Sequence, residues 1–266
     1  MKPFFKLAAY GVIALLSTTS YAETPEQKGL NIANLVDQHD QGWGDTSVSM
    51  KMVLRNRHGE ESMRAIRIKN LEILDDGDKG LTIFDNPRDV KGTAFLSFSH
   101  VTKADDQWLY LPALKRVKRI SSANKSGPFM GSQFSFEDIA SFEVGKYSYK
   151  YLKDDKLIVA DNTYEVFVIE NYPLYEYSGY TRQVVWIDKK RYIPLKVEYY
   201  DRKNDLLKTL SFKEYKQYLG KYWRAHNQLM ENHQTGKTTV LTFSDFKFQN
   251  GYSARDFQQT SLKRAR

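Results

Sequence analysis

The chain has 266 residues, with 40 Lys and Arg against 32 Asp and Glu, a formal charge of +8, and no cysteine. The lack of cysteine excludes a disulfide-stapled scaffold, thiol chemistry, thiolate metal sites and the acylated cysteine of a lipoprotein. The fold must therefore be held by burial, for which this length is ample, and the positive balance favours anionic partners.

Residues 1–22 read as a secretory signal peptide. Lys2 and Lys6 form a positive start, Ala8 to Leu16 a short apolar core, and Ser20-Tyr21-Ala22 a small-x-small cleavage site. That core is far shorter than the roughly 20 residues a membrane span requires. Cleavage after Ala22 removes Lys2 and Lys6, taking the charge from +8 to +6. The expected product is one periplasmic domain over residues 23–266 that is not lipid-anchored. Export argues against nucleic acid and for lipid headgroups, lipopolysaccharide or an acidic protein surface.

Thr24, Pro25 and Glu26 open a predicted helix over residues 24–40, with Leu30, Ile32, Ala33, Leu35 and Val36 at helical spacing; Gly42-Trp43-Gly44 ends it. Strands follow almost without break. Val48, Met50, Met52 and Leu54 alternate with polar residues, and return strands are expected at 63–73, 81–84, 93–98 and 107–111. Beyond the middle of the chain, strands are expected at 146–152, 157–160, 164–170, 182–188, 193–200, 206–215, 222–231 and 238–248. Asp75-Asp76-Gly77-Asp78, Lys153-Asp154-Asp155, Arg202-Lys203-Asn204 and Thr235-Gly236 supply turn signals. Residues 254–262 suit a short closing helix. The pattern predicts a mainly β protein: a curled antiparallel meander of about 11–12 strands enclosing a cavity, with the first helix and the central loop as a lid.

The most distinctive stretch lies between residues 105 and 140. A strand ending in Trp108-Leu109-Tyr110-Leu111-Pro112 runs into the cations Lys115, Arg116, Lys118 and Arg119. A loop tipped by Phe129 and Met130 follows, and Ser135-Phe136-Glu137-Asp138 suits a helix start. A solvated strand face accounts for such a charge run as readily as a docking strip does. The docking reading has Lys115, Arg116, Lys118 and Arg119 holding an anionic surface while Phe129 and Met130 enter a partner or bilayer edge.

Eighteen Tyr, fifteen Phe and four Trp supply rings to fill or line the barrel. Alternation places Val48, Met50, Met52, Ile66, Ile68, Leu96, Phe98, Val166 and Val168 on the concave face, as the expected lipid cavity. Reaction chemistry is not legible. There is no Gly-x-Ser-x-Gly elbow, and His39, His58, His100, His226 and His233 lack metal-ligand spacing, so no catalytic residue, metal or cofactor is expected.

Trp108-Leu109-Tyr110-Leu111-Pro112 with Lys115-Arg116-Val117-Lys118-Arg119-Ile120, followed by Phe129-Met130-Gly131-Ser132-Gln133-Phe134-Ser135-Phe136-Glu137-Asp138, resembles two signatures of the LolA-like family of outer-membrane lipoprotein-sorting proteins. The likeness covers essentially the whole chain after residue 22. It implies an incomplete β-barrel covered by helices, with an apolar cavity for the acyl chains of a lipid or lipoprotein, and no enzymatic activity. The chain is longer than LolA itself. Its basic strip and Phe-Met-Gly-Ser loop resemble a divergent branch often encoded beside exporters of the RND (MMPL-like) type. The resemblance thus implies a monomeric periplasmic carrier, with an accessory subunit docking on such an exporter as the other reading.

Overall fold

A computed structural model describes residues 22–264; the expected signal peptide at residues 1–22 falls almost wholly outside them. Helix α1 (Pro25–Asp40) begins where Thr24 accepts a hydrogen bond from the Gln27 amide, with Pro25 in the first turn. Thirteen strands follow: β1 (Asp45–Arg55), β2 (Glu61–Leu71), β3 (Lys79–Asn86), β4 (Ala94–Phe98), β5 (Asp106–Leu111), β6 (Arg116–Ile120), β7 (Tyr147–Val159), β8 (Asn162–Pro173), β9 (Arg182–Asp188), β10 (Pro194–Tyr200), β11 (Leu206–Tyr218), β12 (Tyr222–Asn232) and β13 (Lys237–Phe248). A 3₁₀ turn at Ala254–Phe257 and helix α2 (Gln259–Leu262) close the chain.

All thirteen strands form one antiparallel sheet, in the order β6-β5-β4-β3-β2-β1-β13-β12-β11-β10-β9-β8-β7. Two meanders, β1 to β6 and β7 to β13, are joined where β1 pairs with β13. Strands β6 and β7, neighbours in sequence, are the two free ends. The barrel is therefore left open at a seam, and the long segment 121–146 that joins these two strands packs into the interior.

Three expectations change. Residues 116–120 are a strand in their own right, paired with β5 from Gln107↔Ile120 to Leu111↔Arg116. Lys153-Asp154-Asp155 is not a turn: the ladder to β8 steps over one residue between Tyr151 and Lys153, a bulge that lets β7 run on to Val159. Ser135 does not start a helix. It exchanges bonds with Asp138 (Ser135 N to Oδ2, 2.6 Å; Asp138 N to Ser135 Oγ, 3.3 Å), a capping pattern around a single turn.

The main core lies on the sheet's inner face, the one that carries α1 and the segment 121–146. There Ile32 and Ala33 of α1 meet Met50, Met52, Ile66, Phe84, Phe95, Leu109, Ile169, Ile187 and Met230. The outer face carries two smaller clusters. At the β3–β6 end, Leu81, Ile83, Ala94 and Leu96 are covered by Phe257 and Leu262 from the chain's end. At the β8–β10 end, Val166, Val168, Val184, Ile193 and Leu195 pack together.

Candidate binding cleft and docking strand

The segment 121–146 occupies the interior rather than projecting from it. Phe129 is 1% exposed, with ring centroids 6.0 Å from Phe84, 5.1 Å from Phe95 and 5.4 Å from Phe136. The expected exposed tip is thus corrected: Phe129 is a core residue, and Met130 packs half-buried against the same core. The apolar side chain exposed beside the cations is Leu114, which sequence patterning passes over. Phe129 escaped because a Pro-Phe-Met-Gly turn reads alike whether it faces water or the core.

Polar anchors tie this segment to strands on both sides. Gln107 Nε2 donates to the Phe136 carbonyl (2.9 Å) and the Gln133 amide to Thr239 Oγ1 (3.0 Å), while Arg64 donates to the Met130 carbonyl. Asp138 accepts from Lys208 Nζ (2.6 Å) and Tyr180 Oη (2.8 Å), in a pair almost wholly out of solvent. Glu137 accepts from the Gly179 amide (2.9 Å), Ser178 Oγ (3.0 Å) and Tyr175 Oη (3.1 Å). Burial, then the neighbouring Asp138, pushes the Glu137 carboxyl above its ordinary range. These bonds explain why two adjacent acids sit inside a barrel: each is satisfied by donors the opposite wall supplies.

The nine expected cavity residues divide between the faces. Met50, Met52 and Ile66 lie in the inner core with Ile68 packed against it, and Val48 shares their face through its pairing with Ile68. Leu96, Phe98, Val166 and Val168 are corrected to the outer face. On β4 and β8 the inward residues are Phe95, Phe167 and Ile169. Both strands are apolar on both sides, so alternation carries no phase and a one-residue offset inverts every side chain. None of the nine lines the cleft.

At the other end of the interior lies a cleft of about 920 Å³. Its floor is built from inner-face pairs, Thr46 with Asn70 and Phe212 with Gln228. One wall is the last turns of α1 (Val36 to Gln41) with Trp43, the β2–β3 turn and Ser141 to Gly145. The opposite wall is the β9–β10 turn (Lys190 to Pro194) and the β11–β12 turn, with Lys221, Trp223 and Arg224. Leu74, Val101 and Phe142, 74%, 40% and 45% exposed, give its rim an apolar character. Exposed large apolar side chains grouped at one mouth are the mark of a binding groove.

Charge in the cleft is divided. The acidic wall holds Asp37, Asp40, Glu72, Asp76, Asp78 and Glu143. Glu72 is spent on the Gly42 and Gly44 amides (2.6 and 2.7 Å), which fix the α1–β1 turn where both glycines take positive φ. Asp76 binds His100 Nδ1 (2.6 Å), and that bond holds its carboxyl down to about 2. Burial pushes Asp78 up to about 6 and Glu143 to about 7, with Asp78 adding to Glu143's shift. Asp78 accepts from the Ile73 amide (3.1 Å), and Arg224 ties the opposite wall to Asp40. The Glu143 rise was not legible in sequence, since its acidic neighbours come from α1 and the β2–β3 turn.

The four cations on and beside β6 do not act as one strip. Lys115 sits at a left-handed turn (φ 48°) just before the strand. By register, Arg116 and Lys118 share the face of Leu111 and Leu109, whereas Arg119 lies on the opposite face beside Trp108 and pairs with Asp106. Among the described residues Lys115, Arg116 and Lys118 form no ion pair.

A family model described as "Uncharacterized protein" matches residues 76–264. No curated protein matches. A crystal structure described as an outer membrane lipoprotein-sorting protein domain from Vibrio parahaemolyticus is 59% identical, covering 90% of this chain and 99% of that one, with a TM-score of 0.86. A DUF1329 family protein from Desulfovibrio piger is 30% identical over 90% of this chain and 99% of its own, with a TM-score of 0.83. A LolA superfamily protein from Nitrosomonas europaea shares the fold at 20% identity and a TM-score of 0.68, covering 88% of this chain and 98% of that one. With an open curled sheet, an interior helix and these relatives at near-full coverage, the chain belongs to the LolA-like family of outer-membrane lipoprotein-sorting domains and shares the DUF1329 family of its Desulfovibrio relative.

Proposed function

We propose that this protein, exported through residues 1–22 and working as one monomeric unit over 23–266, is a periplasmic carrier for an acylated molecule, and that the cleft between α1 and the inner face takes the acyl part. The observation that carries this reading is the cleft itself: about 920 Å³ of open space with Val36, Trp43 and Phe212 inside and Leu74, Val101 and Phe142 at its mouth. That volume lies near the upper end of small-molecule sites, roughly 300–1,000 Å³. An acyl chain leaving water gains about 0.8 kcal/mol per CH₂, enough for tight retention over one chain. The expected cavity at Val48, Met50, Met52, Ile66 and Ile68 is occupied by the protein's own core, which moves the cargo to the cleft. Of the four expected docking cations, Lys115, Arg116 and Lys118 serve docking on an anionic partner, an RND-type exporter or a membrane surface, and Arg119, paired with Asp106 on the opposite face, is left out. Phe129 and Met130 are left out of that role.

The test is uptake of a fluorescent fatty acid. Gln228→Trp fills the cleft floor between Phe212 and Leu241, and uptake should fall at least tenfold while far-ultraviolet circular dichroism shows the variant folded. Undiminished uptake by this variant would remove the cleft from the reading. The plugged half of the interior favours a second reading, an accessory subunit that docks on an exporter and carries nothing. Mass spectrometry of organic extracts from protein purified out of the periplasm separates the two: stoichiometric phospholipid or acylated peptide supports the carrier, lipid-free protein the accessory.

A further inference from the structure

Strand β6 ends the sheet and pairs only with β5. Among the described residues, no other hydrogen bond reaches the backbone of Arg116 to Ile120. Every second residue of such an edge presents an unpaired N–H and C=O, a template for another strand. The opposite edge is treated differently: α1 crosses β7 so closely that a Cβ on Gly29 would stand 2.9 Å from the Lys150 and Tyr151 amide nitrogens. The side chains of β6 then define what could pair there. Arg116 and Lys118 are exposed on one face without an ion pair. Val117, between them, lies on the other face, packed against the cluster that includes Trp108 and Tyr110.

We propose that β6 is a strand-addition site for an extended acidic segment of a partner protein, one with carboxylates opposite Arg116 and Lys118 and an apolar residue opposite Val117. Main-chain bonds to the free edge supply the binding and the alternating side chains supply the register. A second copy of this chain is disfavoured as the occupant, because β6 against β6 brings the same cations together. A lipid surface would answer the charge but not the row of amides. The inference rests on the docking reading above and specifies its mode; it is independent of any cargo.

The probe is a labelled peptide, acetyl-Thr-Glu-Val-Glu-Val-Glu-Thr-amide, added to the full protein, with binding read by anisotropy and by amide exchange of residues 116–120. Binding should slow exchange at alternate β6 amides. It should weaken at least tenfold in the Arg116→Glu/Lys118→Glu variant, whose melting temperature should match the wild type. A peptide of the same sequence, N-methylated at alternate residues, keeps the charge and loses the ladder, so it should not bind. If the methylated peptide binds equally well, strand addition is overturned and plain charge docking stands. Phosphatidylglycerol vesicles that bind through Arg116 and Lys118 when the peptide does not would overturn it in favour of a lipid surface. Failure of both probes would overturn the docking reading and this inference together.

Discussion

The two ends of the sheet solve the same problem differently. At the β6 end the interior is closed by the protein's own aromatic rings, Phe84, Phe95, Phe129 and Phe136, while the strand's edge stays bare and cationic. At the β7 end α1 packs closely on the strand, and the last turns of the same helix form one wall of the cleft. An incomplete barrel must either fill or cover what its seam exposes, and this chain fills on one side and covers on the other. The cleft and the bare edge therefore lie apart, the cleft floor on β1, β2, β11 and β12 in the middle of the sheet and the edge on β6 at its end. The segment 121–146, the plug of this interior, is tied by polar bonds to β11 and to the Ser178–Gly179 turn.

The comparison breaks most sharply at the plug. Phe129→Ala removes a fully buried ring in contact with three others, and should cost about 3–5 kcal/mol, read by denaturant unfolding. An unchanged midpoint would mean that the plug does not close the β6 end.

Next comes the anchor. Lys208→Met strands the Asp138 carboxylate in a buried site, with an expected cost of about 3–5 kcal/mol. Adding Asp138→Asn to that variant should recover much of the loss, because no unpaired charge then stays inside. A double variant no more stable than the single would show that the pair does not act as a unit.

Covering of β7 is tested by Gly29→Ala. In an open helix position this change stabilises by up to about 1 kcal/mol. Here the new Cβ would press on backbone nitrogens of Lys150 and Tyr151 at 2.9 Å, so the sign reverses to a loss of about 1–3 kcal/mol. Thermal melting decides it, and a raised midpoint would mean that α1 does not hold to β7 at this point.

The smallest effect is the pH dependence of the cleft wall. Asp78 and Glu143 hold protons up to about 6 and about 7 in the folded protein, against about 4 for unperturbed carboxyls in the unfolded chain. Over that interval the folded state binds more protons than the unfolded state. Their contribution to stability is therefore full below about pH 4 and is lost as pH rises towards about 7. Asp76, held down to about 2, slopes the opposite way but below that interval. Denaturation midpoints between about pH 4.5 and 7.5 should fall with pH, and the Asp78→Asn/Glu143→Gln variant should flatten the trend.

The sequence by itself determined the antiparallel β architecture, α1 with its Thr24 cap and Pro25 start, and the short closing helix, because each is written in local spacing and turn chemistry. It also put Met50, Met52 and Ile66 on the inner face, since β1 and β2 alternate apolar with polar residues, although there they fill the core instead of lining a cavity. Only the tertiary structure decided the facing of Leu96, Phe98, Val166 and Val168, whose strands are buried on both sides and carry no period to read. The same holds for Phe129, whose burial depends on Phe84 and Phe95 arriving from distant strands. The division of Arg116, Lys118 and Arg119 between two faces required the β5–β6 register. The cleft is assembled from α1, three turns and the floor pairs Thr46–Asn70 and Phe212–Gln228, which are far apart in the chain and meet only in the curled sheet.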